Sequence, residues 1–274
     1  MREHRILPGY RLTLGITVGY LSLMVILPII ALVAQSTHIG FADYFHQISS
    51  KRFLTSIRLS VLTALAASVA NGFIGFIIAW SLVRYSFPGK KIIDSMIDIP
   101  FALPTAVAGI ALTTLYAQNG WVGSLLAHIG IKAAYTPLGI IIALSFVGIP
   151  FVIRSVQPVL IDFQKEIEDA ASCLGASKGI IFRKILWPQI MPALISGVSL
   201  SFARGLGEYG SIVFISGNMP FKTEIVPLLI MTKLEQFNYA AASAIAMTFL
   251  TISFGIMLLI NVFQAINRQK YVTK

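Results

Sequence analysis

The stretch EIEDAASCLGASKGIIFRKILWPQIMPAL, Glu166 to Leu194, decides how this chain is read. Residues 164–174 favour a helix, Gly175 permits a left-handed or bent connection, and Ser177 can cap a second short helix. That second helix carries Ile180, Ile181, Ile185 and Trp187 among Lys178, Arg183 and Lys184, and Pro188 is expected to break it. The product is a compact helix–bend–helix with one apolar side. Ala170 and Ala171 allow close approach of a neighbour, and Asp169 offers a charge to a basic partner. An amphipathic connector lying on lipid is the alternative. A lipid-binding helix has no need of small residues at close-packing positions, so the Ala-Ala-x3-Gly spacing favours a protein partner.

Working outward from this segment, the flanking sequence is too apolar for a soluble domain. Of the 274 residues 56% are hydrophobic and only 12% charged, and mean hydropathy is +0.81. A soluble globule of that composition could not cover its surface with polar groups. An ordinary cytosolic enzyme, a disordered chain and a disulfide scaffold are all excluded, and a polytopic membrane protein remains. A spanning helix needs about 20 apolar residues. Six stretches qualify: Leu12 to Ala34, Leu59 to Val83, about Ile99 to Ala117, a short one at about Thr136 to Ile153, about Ile190 to Ser216, and Tyr239 to Phe263. The first is too long for a signal-peptide core and has Leu32 where a small residue should precede cleavage, so it reads as a retained helix. The expectation is an all-α, polytopic single domain over 1–274, with a first helix at 12–34, a core at about 55–265 and a cytoplasmic loop at about 154–189.

The net charge of +10 does not point to nucleic acid, because the basic residues sit between apolar runs instead of clustering on a polar domain. Fourteen of them fall on one side: Arg2, Arg5, Arg11, Arg84, Lys90, Lys91, Arg154, Lys165, Lys178, Arg183, Lys184, Arg268, Lys270 and Lys274. Six fall on the other (Lys51, Arg52, Arg58, Lys132, Lys222, Lys233), and Arg204 lies within a span. Positive residues mark the cytoplasmic side, so both termini are expected there. The single cysteine, Cys173, reads as a small semi-apolar filler.

No GxxxxGK[ST] phosphate loop, HExxH, GxSxG or CxxC occurs, so the chain has no recognisable means of binding ATP or a metal. His4, His38, His46 and His128 all fall outside the spans. Catalysis within this chain is not expected.

The loop resembles the signature of permease subunits of bacterial ABC importers: EAA, three residues, Gly, nine residues, then I-x-L-P. Here Asp169-Ala170-Ala171 is followed by Gly175, and nine residues later come Ile185, Leu186, Trp187 and Pro188. Asp169 replaces Glu and Trp187 replaces Leu. The resemblance covers nearly the whole chain and is closest to the T-type subunit of the sulfate/thiosulfate branch. It is carried by FPGKKIIDSMIDIPFALPTAVAGIAL (Phe87 to Leu112), RSVQPVL (Arg154 to Leu160), RGLGEYGSIVFISGN (Arg204 to Asn218) and KLEQFNYAAASAIA (Lys233 to Ala246). Molybdate permeases share the R-x-L-G-E-[FY]-G segment, so that segment alone does not fix the anion.

The resemblance implies six transmembrane helices of the type I ABC importer permease fold and transport of sulfate or thiosulfate by alternating access. It further implies a second, W-type permease subunit, a periplasmic sulfate/thiosulfate-binding protein, and two ATP-binding cassette subunits. Those cassettes would bind ATP and Mg and receive the loop residues Asp169, Ala170, Ala171, Gly175, Ile185 and Pro188. The membrane would be a bacterial inner membrane, or a plastid inner envelope if the chain is plastid-encoded. An ion-coupled secondary transporter would need intramembrane acids and usually an internal repeat, and no convincing repeat is visible.

Near the expected pathway, Arg204 and Glu208 are four apart and share a helix face. An unpaired Arg at mid-bilayer costs about 2.5–3.5 kcal/mol on insertion scales, so pairing or aqueous exposure is expected. With Gly205, Gly207 and Gly210 around them, they form a gate or hinge, or else a structural ion pair. Asp98, ahead of Pro100 and Pro104, caps an irregular helix start or faces substrate. Ala67, Asn71, Gly75 and Ala79 make a small-residue stripe for close packing, within the subunit or against a second one.

Overall fold

The computed structural model describes residues 9–37 and 39–272. Arg2, His4, Arg5, His38 and Lys274 lie outside them, as do the side chains of Arg268 and Lys270. Every regular element among the described residues is helical. The helices are α1 (Tyr10–Thr37), α2 (Phe41–Ile48), α3 (Lys51–Arg84), α4 (Lys90–Met96), α5 (Ile99–Ala102), α6 (Thr105–Tyr116), α7 (Trp121–His128) and α8 (Pro137–Ile161). They continue with α9 (Lys165–Cys173), α10 (Lys178–Ile181), α11 (Trp187–Leu206), α12 (Gly210–Ser216), α13 (Val226–Glu235) and α14 (Tyr239–Val272).

Five helical stretches are long and apolar enough to cross a membrane: α1, α3, α8, the continuous run Lys178–Leu206, and Tyr239–Gln264 of α14. The third crossing expected from the sequence is bent. Lys90–Ala102 and Thr105–Tyr116 meet at 112°, and counted together as one broken span they bring the candidate crossings to six. Pro104 stands at the corner with extended backbone. The twelve residues of α6 reach only about 18 Å, well short of the roughly 30 Å of hydrocarbon.

The centre is a close-packed seam of α3, α8 and α11. Ala67, Asn71, Gly75 and Ala79 are all buried on α3, and they pack within this chain: a Cβ on Gly75 would come 2.9 Å from Val152 Cγ1 on α8. Asn71 donates Nδ2 to Ser201 Oγ at 3.0 Å, linking α3 to α11. Gly148 of α8 lies between them, where a Cβ would stand 2.3 Å from Ser201 Oγ and 2.6 Å from Asn71 Nδ2. That close approach gives the amide nitrogen of Asn71 its partner, while its Oδ1 is buried without one. Two apolar clusters extend from this seam. One includes Phe53, Leu144, Phe202, Ile212 and Leu229, and the other Leu82, Val152, Val156, Ile181 and Ile190. By contrast, α1 has no buried residue and its long contact is with α14.

Three expectations need correction. The fourth span does not end near Ile153. α8 runs on to Ile161, so Arg154 and the other residues at 154–161 belong to a spanning helix and not to a loop. Pro188 does not break the chain either. Phe182–Leu186 forms a π turn, in which the N–H of Trp187 bonds to the carbonyl of Phe182, five residues back. That wider turn removes the need for the hydrogen bond that the proline lacks, and the helix continues to Leu206. Finally, Asp98 occupies the N-cap of α5 without making a side-chain cap bond. Its carboxylate is engaged by Arg154.

Candidate functional site

The helix–bend–helix is built from α9 and α10. Glu166 and Glu168 stand in the first turn of α9, where negative charge suits the helix dipole. Its end is a Schellman cap: Ala176 N–H bonds to Ala171 O and Gly175 N–H to Ser172 O, both at 3.0 Å. Gly175 is therefore at φ +83°, the left-handed region that glycine enters without steric cost, and open space surrounds it. The cap turns the chain so that Ser177 begins α10, in N-cap position but without a side-chain bond.

The two faces of α9 differ. Asp169, Ala170 and Cys173 are exposed, and Leu174 is 89% exposed. Ala171 turns inward with Ala176 and Phe163 against the second apolar cluster. Among the segment's other members, Ile185 is partly buried against that cluster, and Pro188 is half-buried at the start of α11. Asp169 thus stands exposed on the outward face, with Ala170 outward and Ala171 turned towards the cluster.

Arg204, Gly207 and Glu208 come together where α11 gives way to α12. Arg204 Nη1 lies 2.6 Å from Glu208 Oε2, with the arginine side chain 38% exposed and the glutamate 2%. The other carboxylate oxygen, Oε1, accepts from the backbone N–H and the hydroxyl of Ser211, each at 3.0 Å. Glu208 therefore closes one helix and caps the next. Gly207 has open space around it, whereas Gly210 abuts Thr105 of α6, where a Cβ would stand 2.2 Å from Oγ1. The break thus leans on the helix that follows the Pro104 corner.

Asp98 is not part of that group. Arg154 of α8 grips it from two nitrogens, Nε to Oδ1 at 3.0 Å and Nη2 to Oδ2 at 2.6 Å. The same guanidinium donates Nη1 to Asp94 Oδ1 at 2.7 Å and to Gln157 Oε1 at 2.6 Å, and Nη2 to the Asp94 carbonyl at 2.8 Å. This buckle fastens the α4–α5 elbow to α8 with the forked geometry that suits arginine.

Sequence reading missed three pairings: Arg154 with Asp94 and Asp98, Arg84 with Glu168 at 2.5 Å, and Arg52 with Glu224. In the last, Nε and Nη2 reach the two carboxylate oxygens at 2.7 and 2.6 Å. The available signal was weak: the charge count put the arginine of the last two pairs, and Arg154, near the end of an apolar run, but no spacing rule links residues so far apart.

The described residues thus form a helical membrane bundle with a bent crossing, a broken crossing and an exposed capped arm. Its backbone superposes on a bacterial alginate ABC transporter with a TM-score of 0.75 at 18% identity, covering 94% of this chain and 96% of that one. The chain belongs to the binding-protein-dependent transport system inner membrane component family, whose model matches residues 71–272. It is 45% identical over 263 residues to the sulfate transport system permease protein CysT of Salmonella typhimurium, covering 96% of this chain and 95% of that protein. It is also 46% identical over 257 residues to a probable sulfate transport system permease protein of Chlorokybus atmophyticus, covering 94% and 90%.

Proposed function

We propose that this chain is the membrane-spanning permease subunit of an ATP-driven importer and carries sulfate or thiosulfate by alternating access. The observation that carries the proposal is the near full-length identity to sulfate permeases, in a chain whose spans, arm and helix breaks fit the same architecture. The exposed arm of Asp169, Ala170 and Gly175, with Ile185 and Pro188 behind it, seats in one of two ATP-binding cassette subunits. ATP and Mg bind there, and the permease chain contributes no hydrolysis of its own. A second, W-type permease chain completes the pathway, and a periplasmic sulfate/thiosulfate-binding protein delivers the anion. The membrane is a bacterial inner membrane or a plastid inner envelope, with both termini on the cytoplasmic side, a reading supported by the distribution of lysine and arginine.

Within this scheme the Arg204–Gly207–Glu208 break acts as a gate between α11 and α12. Glu208 largely cancels the field of Arg204, so the pair suits a hinge better than an anion site. Asp98 acts through the buckle on Arg154, holding the elbow that shapes the third crossing.

The test is labelled sulfate uptake in cells lacking the chain and in cells with it restored. Restored, ATP-dependent uptake that thiosulfate blocks and molybdate barely affects supports the proposal. Uptake blocked mainly by molybdate changes the substrate and keeps the architecture. Uptake that survives without the chain overturns the proposal.

A further inference from the structure

The arm between α8 and α11 touches more than the two helices that carry it. Phe76, Trp80 and Arg84 stand four apart along α3 and so form one stripe at its end. Both halves of the arm dock on that stripe. From the first half, Glu168 pairs with Arg84 at 2.5 Å. The guanidinium lies 5.1 Å from the Trp80 ring and 5.8 Å from the Phe163 ring. From the second half, Phe182 meets Trp80 edge-on at 5.5 Å and Trp187 meets Phe76 at 5.6 Å.

The Glu168 contact stands apart from the others. No residue of α9 is buried. Among the described residues, the bond to Arg84 is also the single side-chain hydrogen bond from α9 to another element. Arg84 in turn depends on it, because its Nε and Nη2 are buried without hydrogen-bond partners. One carboxylate and two ring faces therefore hold that charge.

At the far end of α3, 32 residues and about 48 Å away, Arg52 is joined to the buried Glu224 just before α13. α8 and α11 must follow the arm because they are covalently continuous with it. α3 follows only through contacts: the close-packed seam it shares with α8 and α11, and an ion pair at each end.

We infer that Arg84 is a positioning residue that latches the arm to α3 through Glu168. A displacement of α9 is then carried along α3 to the Arg52–Glu224 junction. This rests on the arm being the seat of the ATP-binding cassettes, as proposed above. The ion pair supplies what the aromatic contacts lack: a directional link that resists α9 sliding along or away from α3.

The experiment uses the assembled complex, with its partner permease, cassettes and binding protein, in proteoliposomes, and reads sulfate imported per ATP hydrolysed. Arg84→Gln and Glu168→Gln are compared with the exchange Arg84→Glu/Glu168→Arg, and Gly175→Trp serves as the control for the arm itself. The expected result is a fall of about five-fold or more in that ratio for each single variant, the size of an ordinary coupling factor, with ATP hydrolysis retained and partial recovery in the exchange. If Arg84→Gln does not assemble, Glu168→Gln decides alone, because its helix has no buried residue to disturb. A smaller fall in the assembled single variants, or an exchange as poor as the two losses added together, overturns the latch. Should Gly175→Trp uncouple while the latch variants do not, the latch alone is wrong. Should Gly175→Trp leave the ratio unchanged, the seating of the arm is wrong.

Discussion

Glu208 is held at both carboxylate oxygens by different helices. Oε2 takes the guanidinium of Arg204 at the end of α11, and Oε1 takes the N–H and hydroxyl of Ser211 in the first turn of α12. One buried side chain therefore sets the angle between two helices, with an open glycine, Gly207, next to it.

Substitution Glu208→Gln keeps the shape and the acceptor for Ser211 but removes the charge that pairs with Arg204. The Arg204 side chain is more than a third exposed in the single chain, and the complex is expected to assemble. The lost charge-assisted bond is worth about 1.5–3 kcal/mol, which acts on the proposed gate, so uptake is expected to fall about ten-fold or more. Labelled sulfate uptake, normalised to the chain's level in the membrane, checks this. Unchanged uptake would reduce the pair to a structural tie.

The Arg52–Glu224 pair should respond unequally to truncation of its two members. The Glu224 side chain is 0% exposed and that of Arg52 is 28% exposed. Arg52→Ala leaves a buried carboxylate without a partner, at a cost of about 3–5 kcal/mol. Glu224→Ala frees an arginine that can reach water and should cost less than half as much. Thermal unfolding of the purified complex distinguishes the two; equal losses would mean that Glu224 finds another partner.

At Gly175 backbone conformation can be separated from surface shape. Any non-glycine residue at φ +83° pays about 1–2 kcal/mol, and Asn pays least. The order of uptake is expected to be Gly, then Asn, then Ala, with Gly175→Trp losing uptake while ATP hydrolysis continues. An Ala variant better than Asn would show that the left-handed cap is not what the arm requires.

Gly148→Ala tests the central seam. The added methyl would stand 2.3 Å from Ser201 Oγ and 2.6 Å from Asn71 Nδ2. It must therefore displace the bond between them, at about 1–3 kcal/mol. The chain's level in the membrane and its midpoint of thermal unfolding should both fall. Pairing it with Ser201→Ala, which makes room, should recover part of the loss.

The sequence alone determined what depends on composition and short spacing. Apolar runs of 18 residues or more belong in lipid, so the membrane class and the candidate crossings, five continuous and one bent, were legible. The spacing of Ala170, Ala171 and Gly175 marked the capped arm, because a glycine past a helix end is a local requirement of the backbone. The four-residue repeat from Ala67 to Ala79 marked a packing face, and Arg204 with Glu208 marked a same-face pair. Each of these is read from one continuous stretch of chain. What only the tertiary structure decided lies beyond that reach. The passage of the helix through Pro188 depends on a π turn at Phe182–Leu186, flanked by aromatic contacts to α3. Asp98 left its capping role because Arg154, 56 residues away, competes for its carboxylate with two bonds. Glu168 faces Arg84 across 84 residues of chain, and Glu224 faces Arg52 across 172. Opposite charges so far apart in sequence meet only after the apolar faces of α3, α8 and α11 have packed and fixed which helix ends are neighbours.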